Sequence, residues 1–348
     1  MSKLKNLVNI FSKKEKLLIV LVFLAVLGTL SYIIFSPNHY DRPEPIRFEI
    51  YKGETLNQIT ENLYKAGIIP NRFNFKAVVY VMGGERKLRA ARYTIPNDLS
   101  YFALFNLFAY GKANLLKEVL IYNGSTVFTI DNKLAREVEV DSNEFLSLIK
   151  DKNFLQELNI KAESIEGYLL PGPHFIYEFS DAREVLTNMH KALNDFLDDT
   201  LMAEIKKSKY NLHQILTLAS IVEGETEKVE EMPTIAGVYL NRLRLGMRLQ
   251  ADPTIQYIHQ NKWRRLFKTD LQVNSPYNTY MYAGLPPGPI GNPGKAAILA
   301  AIHPEKNNYL FFVADGTGGH KFARNYNEHL KYVREYRQWL KSQSTTTK

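Results

Sequence analysis

From Leu17 to Phe35 the chain reads LLIVLVFLAVLGTLSYIIF, an almost continuous apolar run. As a helix it spans about 28 Å, the hydrocarbon thickness of a bilayer. Beyond it the apolar positions come in shorter groups. Phe73 to Met82, Leu99 to Tyr110, Asp141 to Leu158, Ala182 to Lys207, Gly237 to Leu243 and Tyr326 to Leu340 carry helical patterns. Tyr309 to Val313 is a short apolar run that predicts a buried strand. Leu212, Leu216, Ala219 and Glu223 step by four, three and four residues, so they share one helix face. The pattern predicts an α+β fold with strands and helices segregated along the chain.

Charge gives the long apolar run a direction. Lys3, Lys5, Lys13, Lys14 and Lys16 precede it, and Ser36 to Tyr40 after it carry no Lys, Arg, Asp or Glu. The positive-inside rule then puts the N-terminus in the cytoplasm and the rest of the chain outside. A cleaved signal peptide is the other reading, and it also exports the protein. Pro37, Pro43 and Pro45 stiffen a linker that resists helix formation.

A repeat follows the linker. Ile50-Tyr51-Lys52-Gly53-Glu54-Thr55-Leu56 continues to Ile59 and Leu63, and 71 residues later Ile121-Tyr122-Asn123-Gly124-Ser125-Thr126-Val127 continues to Ile130 and Leu134. Both copies predict a strand, a Gly turn, a Thr or Ser cap and an amphipathic helix. Gly53-Glu54-Thr55-Leu56 with Ile59 resembles the start of a LysM module, which binds glycans containing N-acetylglucosamine. A generic strand-turn-helix with no ligand fits the same residues.

Composition is that of a globular protein, 45% hydrophobic and 23% charged. The absence of cysteine removes disulfides, thiolate nucleophiles and Cys-ligated metals. A net charge of +8 raises nucleic acid as a partner, but the basic residues are dispersed and no nucleic-acid motif accompanies them. No nucleic-acid partner is expected.

Glu223 is the candidate chemical group. A carboxylate on an apolar helix face is costly unless it is paired or does chemistry. Desolvation raises its pKa, which suits it to protonating a leaving group. Rigid Pro/Gly loops follow, carrying Gln250, Asp252, Thr254, Tyr277, Asn278, Thr279, Tyr280 and Asn292. Apart from Asp252 these are neutral hydrogen-bonding and aromatic groups, which suit a carbohydrate groove. Asn241 and Arg242 form a polar pair on the next helix. A buried Glu223 paired with Arg242 or Arg248 is the structural alternative. Glu225, about 200° round the helix from Glu223, is expected in solvent.

The segments LASIVEGET, NRLRLGMRLQADPT, SPYNTY, AGLPPGPIGNPG and YLFFVADGTGGHKF closely resemble the endolytic murein transglycosylase (YceG-like) family, over roughly residues 46 to 340. Glu166 to Pro171 resembles the family's EGYLFP segment, but Gly172-Pro173-His174 departs from its usual Asp-Thr-Tyr continuation, and Leu330 stands where Asn is common. The resemblance implies a membrane-bound enzyme that cuts glycan strands of peptidoglycan internally, at the β-1,4 bond between N-acetylmuramic acid and N-acetylglucosamine. It implies a 1,6-anhydro product end, Glu223 as the catalytic group, and a role near peptidoglycan synthases. The substrate-binding set expected around Glu223 is Asn241, Arg242, Gln250, Asp252, Thr254, Tyr277, Asn278, Thr279, Tyr280 and Asn292.

The expected organisation is a cytoplasmic segment over 1–16, a transmembrane helix over 17–35 and a linker over 36–45. A duplicated LysM-like region over 46–140, a catalytic α+β domain over 141–340 and a disordered tail over 341–348 complete it. Glycan strands and the bilayer are the expected partners. Gly316 to His320 lacks the Lys-Ser/Thr ending of a phosphate loop, and the histidines lack zinc-site spacing. No metal and no cofactor is expected. If Asp252 faces Glu223, two carboxylates would instead support hydrolysis. A non-catalytic peptidoglycan-binding scaffold is the third reading.

Overall fold

A computed structural model describes residues 12–37, 46–97, 99–111, 113–259 and 264–346. The chain divides into two compact units, residues 1–117 and 118–348.

In the first unit, helix α1 (Lys13–Phe35) starts on a reciprocal cap, in which Ser12 and Glu15 each accept the other's backbone N–H. None of its residues is buried. Among the described residues it is the one helix long and apolar enough to cross a membrane. Strand β1 (Ile46–Ile50), α2 (Leu56–Lys65), α3 (Arg72–Val81), β2 (Ala91–Ile95) and α4 (Tyr101–Tyr110) follow. The strands pair antiparallel, Phe48 opposite Tyr93 and Ile50 opposite Ala91. This places alternate side chains on the helices, where Phe48, Phe75 and Tyr93 surround the Phe108 ring. The first repeat copy forms the expected strand, turn and helix, with Thr55 capping α2 and Gly53 at φ +91° in the turn.

The second unit begins with the pair formed by β3 (Leu116–Ile121) and β4 (Gly172–Tyr177). Between them lie α5 (Val127–Val138), α6 (Ser142–Leu148) and α7 (Lys152–Glu157). Then come α8 (Ala182–Phe196), α9 (Asp199–Lys207), α10 (Leu212–Glu225), α11 (Met232–Arg244), α12 (Asp252–Ile258) and α13 (Lys295–Ile302). An antiparallel hairpin, β5 (Phe311–Ala314) and β6 (His320–Ala323), packs against the last helix, α14 (Tyr326–Thr346). Helix α10 is the hub, packed by α11, α12 and α13.

Several expectations change. The division expected at residue 140 falls at 117/118, because Val127, Ile130 and Leu134 of the second repeat join one core with Leu186 and Leu216. The single helix expected over 141–158 is two helices, the second capped by Asp151. The pattern over 182–207 also breaks, at Leu197, and Asp198 caps the helix that follows. The strand expected over 309–313 lies at 311–314 and is only half-buried. The tail expected to be disordered from 341 continues α14 to Thr346. Residues 1–11 and 38–45 of the expected cytoplasmic segment and linker, and residues 347–348 of the tail, lie outside the described residues.

Candidate active site

Helix α10 starts on an Asn211–Gln214 capping box and is buried continuously from Ile215 to Val222. Its last turn brings Glu223 to the edge of that core, half-buried. Burial pushes the Glu223 carboxyl above its ordinary value of 4.5, and a hydrogen bond from the Gly294 N–H partly offsets the rise. That N–H donates to Oε2 at 2.9 Å. The α-carbon of Gly124 lies alongside: a β-carbon there would stand 3.5 Å from Glu223 Cγ. The second repeat copy and the Pro/Gly loop before α13 thus meet at the carboxylate.

Asn292 ties these pieces together. Its backbone N–H donates to Ser125 O at 2.9 Å, and its carbonyl accepts from Gly124 N at 2.8 Å. Its side-chain Oδ1 accepts from Gly167 N at 2.9 Å and Leu169 N at 3.0 Å. Its Nδ2 donates to Ser125 O and to Glu166 Oε1, each at 2.9 Å. Glu166 also accepts from Val127 N at 3.1 Å, and burial pushes its carboxyl up to about 8. The approach is close: a β-carbon on Gly291 would stand 2.5 Å from Gly124 O.

Glu225 is not in solvent as expected. Its carboxylate accepts a hydrogen bond from Tyr239 Oη, and burial pushes its pKa up to about 7. The physical reason is that α11 packs against α10 and brings Tyr239 to Glu225, which is half-buried and lines the same cleft as Glu223. Asp252 lies in the same neighbourhood, accepts from Tyr280 Oη, and adds to the rise at Glu225.

Most of the expected substrate-binding residues turn out to brace the fold. Asn241 Nδ2 donates to the Asn307 and Tyr309 carbonyls at 2.9 and 3.1 Å. Arg242 is buried, with its guanidinium on the Leu310 and Leu249 carbonyls and over the Phe311 ring, so it does not pair with Glu223. Thr254 and Thr279 bond each other at 2.9 Å, and Thr279 also accepts from Ala251 N. Asn278 Nδ2 donates to Leu271 O and Val273 O at 3.0 and 2.8 Å, closing its own loop. The Tyr277 ring packs on Tyr257, and Tyr280 is held by Asp252. Gln250 is exposed, at φ +51°, with its backbone N–H on Thr279 O. The reason is common to the buried ones: polar groups in loops this enclosed take backbone partners.

The cleft that holds Glu223 has a volume of about 940 Å³. Its walls come from the second repeat (Tyr122, Asn123, Ser125, Thr129) and the end of α10 (Ser220, Glu225, Thr226, Glu227), with Pro253 and Ile290. None of the ten expected binding residues is among the residues that line it. The signal that could have found these walls was the repeat itself, whose Tyr-Asn-Gly-Ser turn offers an aromatic face and neutral hydrogen-bonding groups. Such a cleft, with the half-buried carboxyl of Glu223 held by a backbone N–H and Glu225 held by Tyr239, can bind an uncharged polyol chain and protonate an oxygen within it. Among the described residues no group of three or more His, Asp or Glu is placed to hold a metal ion.

The fold and site define a carboxyl-bearing cleft enzyme of mixed α+β architecture. The YceG-like family model matches residues 48–335, and the chain belongs to that family. It is 29% identical to the endolytic murein transglycosylase of Bacillus subtilis (strain 168), over 87% of this chain and 88% of that protein. It is 27% identical to the endolytic murein transglycosylase of Streptococcus pneumoniae (strain D39), over 91% of this chain and 64% of that one. A solved YceG-like protein from Listeria monocytogenes superposes with a TM-score of 0.58 at 29% identity, covering 83% of this chain and 99% of that one.

Proposed function

We propose that this protein is a lytic transglycosylase that cuts peptidoglycan glycan internally, at the bond between N-acetylmuramic acid and N-acetylglucosamine, leaving 1,6-anhydro-muramyl ends. The observation that carries the reading is Glu223: a half-buried carboxyl, pushed upward by burial and held by the Gly294 N–H, in an open cleft whose second-repeat wall is neutral and polar. The relatives named endolytic murein transglycosylase support the same activity.

One carboxyl suffices for this chemistry. Glu223 protonates the glycosidic oxygen and the bond to C1 of the muramic residue breaks. The resulting carboxylate then takes the proton of that sugar's own 6-hydroxyl, whose oxygen closes on C1. The nucleophile is intramolecular, so no water has to be positioned. The hydrolytic alternative with Asp252 loses support, since Asp252 is held by Tyr280 and is not among the residues lining the cleft.

Helix α1 spans about 34 Å and is apolar and unburied, which supports a single-pass anchor with the cleft outside the cell membrane. In this reading the first unit is a LysM-like glycan-holding module, supported by its capped strand-turn-helix, and peptidoglycan synthases work nearby on the same strands. The test is to incubate the full-length protein in lipid with uncrosslinked glycan and weigh the product ends. Anhydro ends are expected. Reducing ends, one water heavier, would mean a hydrolase, and uncut strands would mean a scaffold.

A further inference from the structure

A second cavity, of about 690 Å³, adjoins the cleft, and the two share Asn123 and Gly172 as lining residues. Its walls include His174, Phe196, Asp195 and Lys295. Lys295 is exposed, and its ammonium sits 5.4 Å from the centroid of the Phe196 ring. It directly follows Gly294, whose N–H holds Glu223. The charge of Asp195 is engaged elsewhere, by Lys191 at 2.6 Å. His174 is bound through Nε2 to Leu170 O at 2.8 Å, and burial keeps its ring toward the neutral form. Among the described residues Lys295 has no ion-pair partner, so the cavity offers a cation beside an aromatic wall, one residue from the group that holds the Glu223 carboxyl.

We infer that this cavity binds the peptide arm of the muramic residue, with Lys295 taking a carboxylate of that arm. The inference rests on the transglycosylase reading above. If C1 of the muramic sugar sits at Glu223, its 3-O-lactyl group lies a few bonds away, and a chain leaving that group must run along the protein or into solvent. The adjoining cavity has the charge for a carboxylate and the apolar wall for small side-chain methyls. Gly172 and His174 belong to the segment where this sequence departs from the family pattern, so peptide preference is set by residues particular to this chain.

The test uses the full-length protein in lipid and two probes: uncrosslinked glycan strands with their peptides, and the same strands after an amidase has removed them. The quantity read is the ratio of kcat/KM on the two probes, for the wild type, Lys295→Gln and Lys295→Arg. The wild type should favour the peptide-bearing strands by about tenfold, the worth of one charge-assisted hydrogen bond. Lys295→Gln should bring the ratio toward one through KM, and Lys295→Arg should keep most of it. An unchanged ratio in Lys295→Gln, with both probes cut, would overturn the inference and leave the transglycosylase reading standing. A wild type that cuts neither probe would overturn both.

Discussion

The backbone N–H of Gly294 donates to Oε2 of Glu223 at 2.9 Å. A donor on one carboxyl oxygen directs the acidic proton to the other, so in the proposed reaction Oε1 is the atom from which Glu223 would give its proton. Gly294 is held in turn by its surroundings. A β-carbon there would stand 2.5 Å from the Asn123 side chain. Gly294→Ala should therefore displace either Asn123 or the N–H and cost about a hundredfold in kcat/KM, with the protein still folded. Steady-state cleavage rates beside a melting curve check this. Unchanged rates would show that the N–H does not position the carboxyl.

Asn292→Ala should damage stability before activity. It would leave the buried N–H groups of Gly167 and Leu169 without their acceptor and remove a donor from Glu166. Each buried group left unsatisfied costs about 1–3 kcal/mol, so a loss of roughly 3 kcal/mol or more is expected by denaturant unfolding. A loss below about 1 kcal/mol would mean that water replaces the side chain.

Glu166 makes stability depend on pH. Its folded pKa of about 8 lies above its ordinary 4.5, so between those values the folded state binds the extra proton. Stability is then highest near and below pH 4.5, as far as this group is concerned, and is lost as pH rises to about 8, by at most about 1.4 kcal/mol per pH unit. Glu225, at about 7, slopes the same way. Glu166→Gln keeps an acceptor for Val127 N and Asn292 Nδ2 without the charge. Its melting temperature should fall less steeply than the wild type's from pH 5 to 8. Parallel curves would contradict the assignment.

The sequence made some of this legible and hid the rest for identifiable reasons. The apolar run at 17–35 and the two strand-turn-helix copies carry local signals, and the structure forms a helix and two capped units there. The face shared by Leu216, Ala219 and Glu223 was readable, but Glu225 was not. Periodicity separates faces of a helix only when one of them meets water, and α10 is packed by three other helices. The loop residues Asn278, Thr279 and Asn292 have the chemistry of sugar ligands and equally that of loop braces. Only the fold distinguishes the two, by giving their side chains to backbone groups. The Tyr122–Ser125 turn was visible as a repeat but not as a cleft wall, because the α10 end that completes the cleft lies about a hundred residues on.

Glu223 must be protonated to act as the acid. Since burial raises its pKa above 4.5, kcat should hold through mildly acidic pH and fall as pH rises through that elevated value. The alkaline limb of the profile, measured at saturating glycan, reports it. A limb centred at or below 4.5 would contradict a desolvated acid.

The most direct measurement compares the full-length wild type and Glu223→Gln in lipid on uncrosslinked glycan, with product ends read by mass spectrometry. Gln can still accept the Gly294 N–H but has no proton to give. Internal cuts ending in 1,6-anhydro-muramic acid are expected from the wild type, and a loss of about a thousandfold or more from the variant, at an unchanged melting temperature. Cleavage by Glu223→Gln at a rate near that of the wild type would contradict the role of Glu223 as the acid.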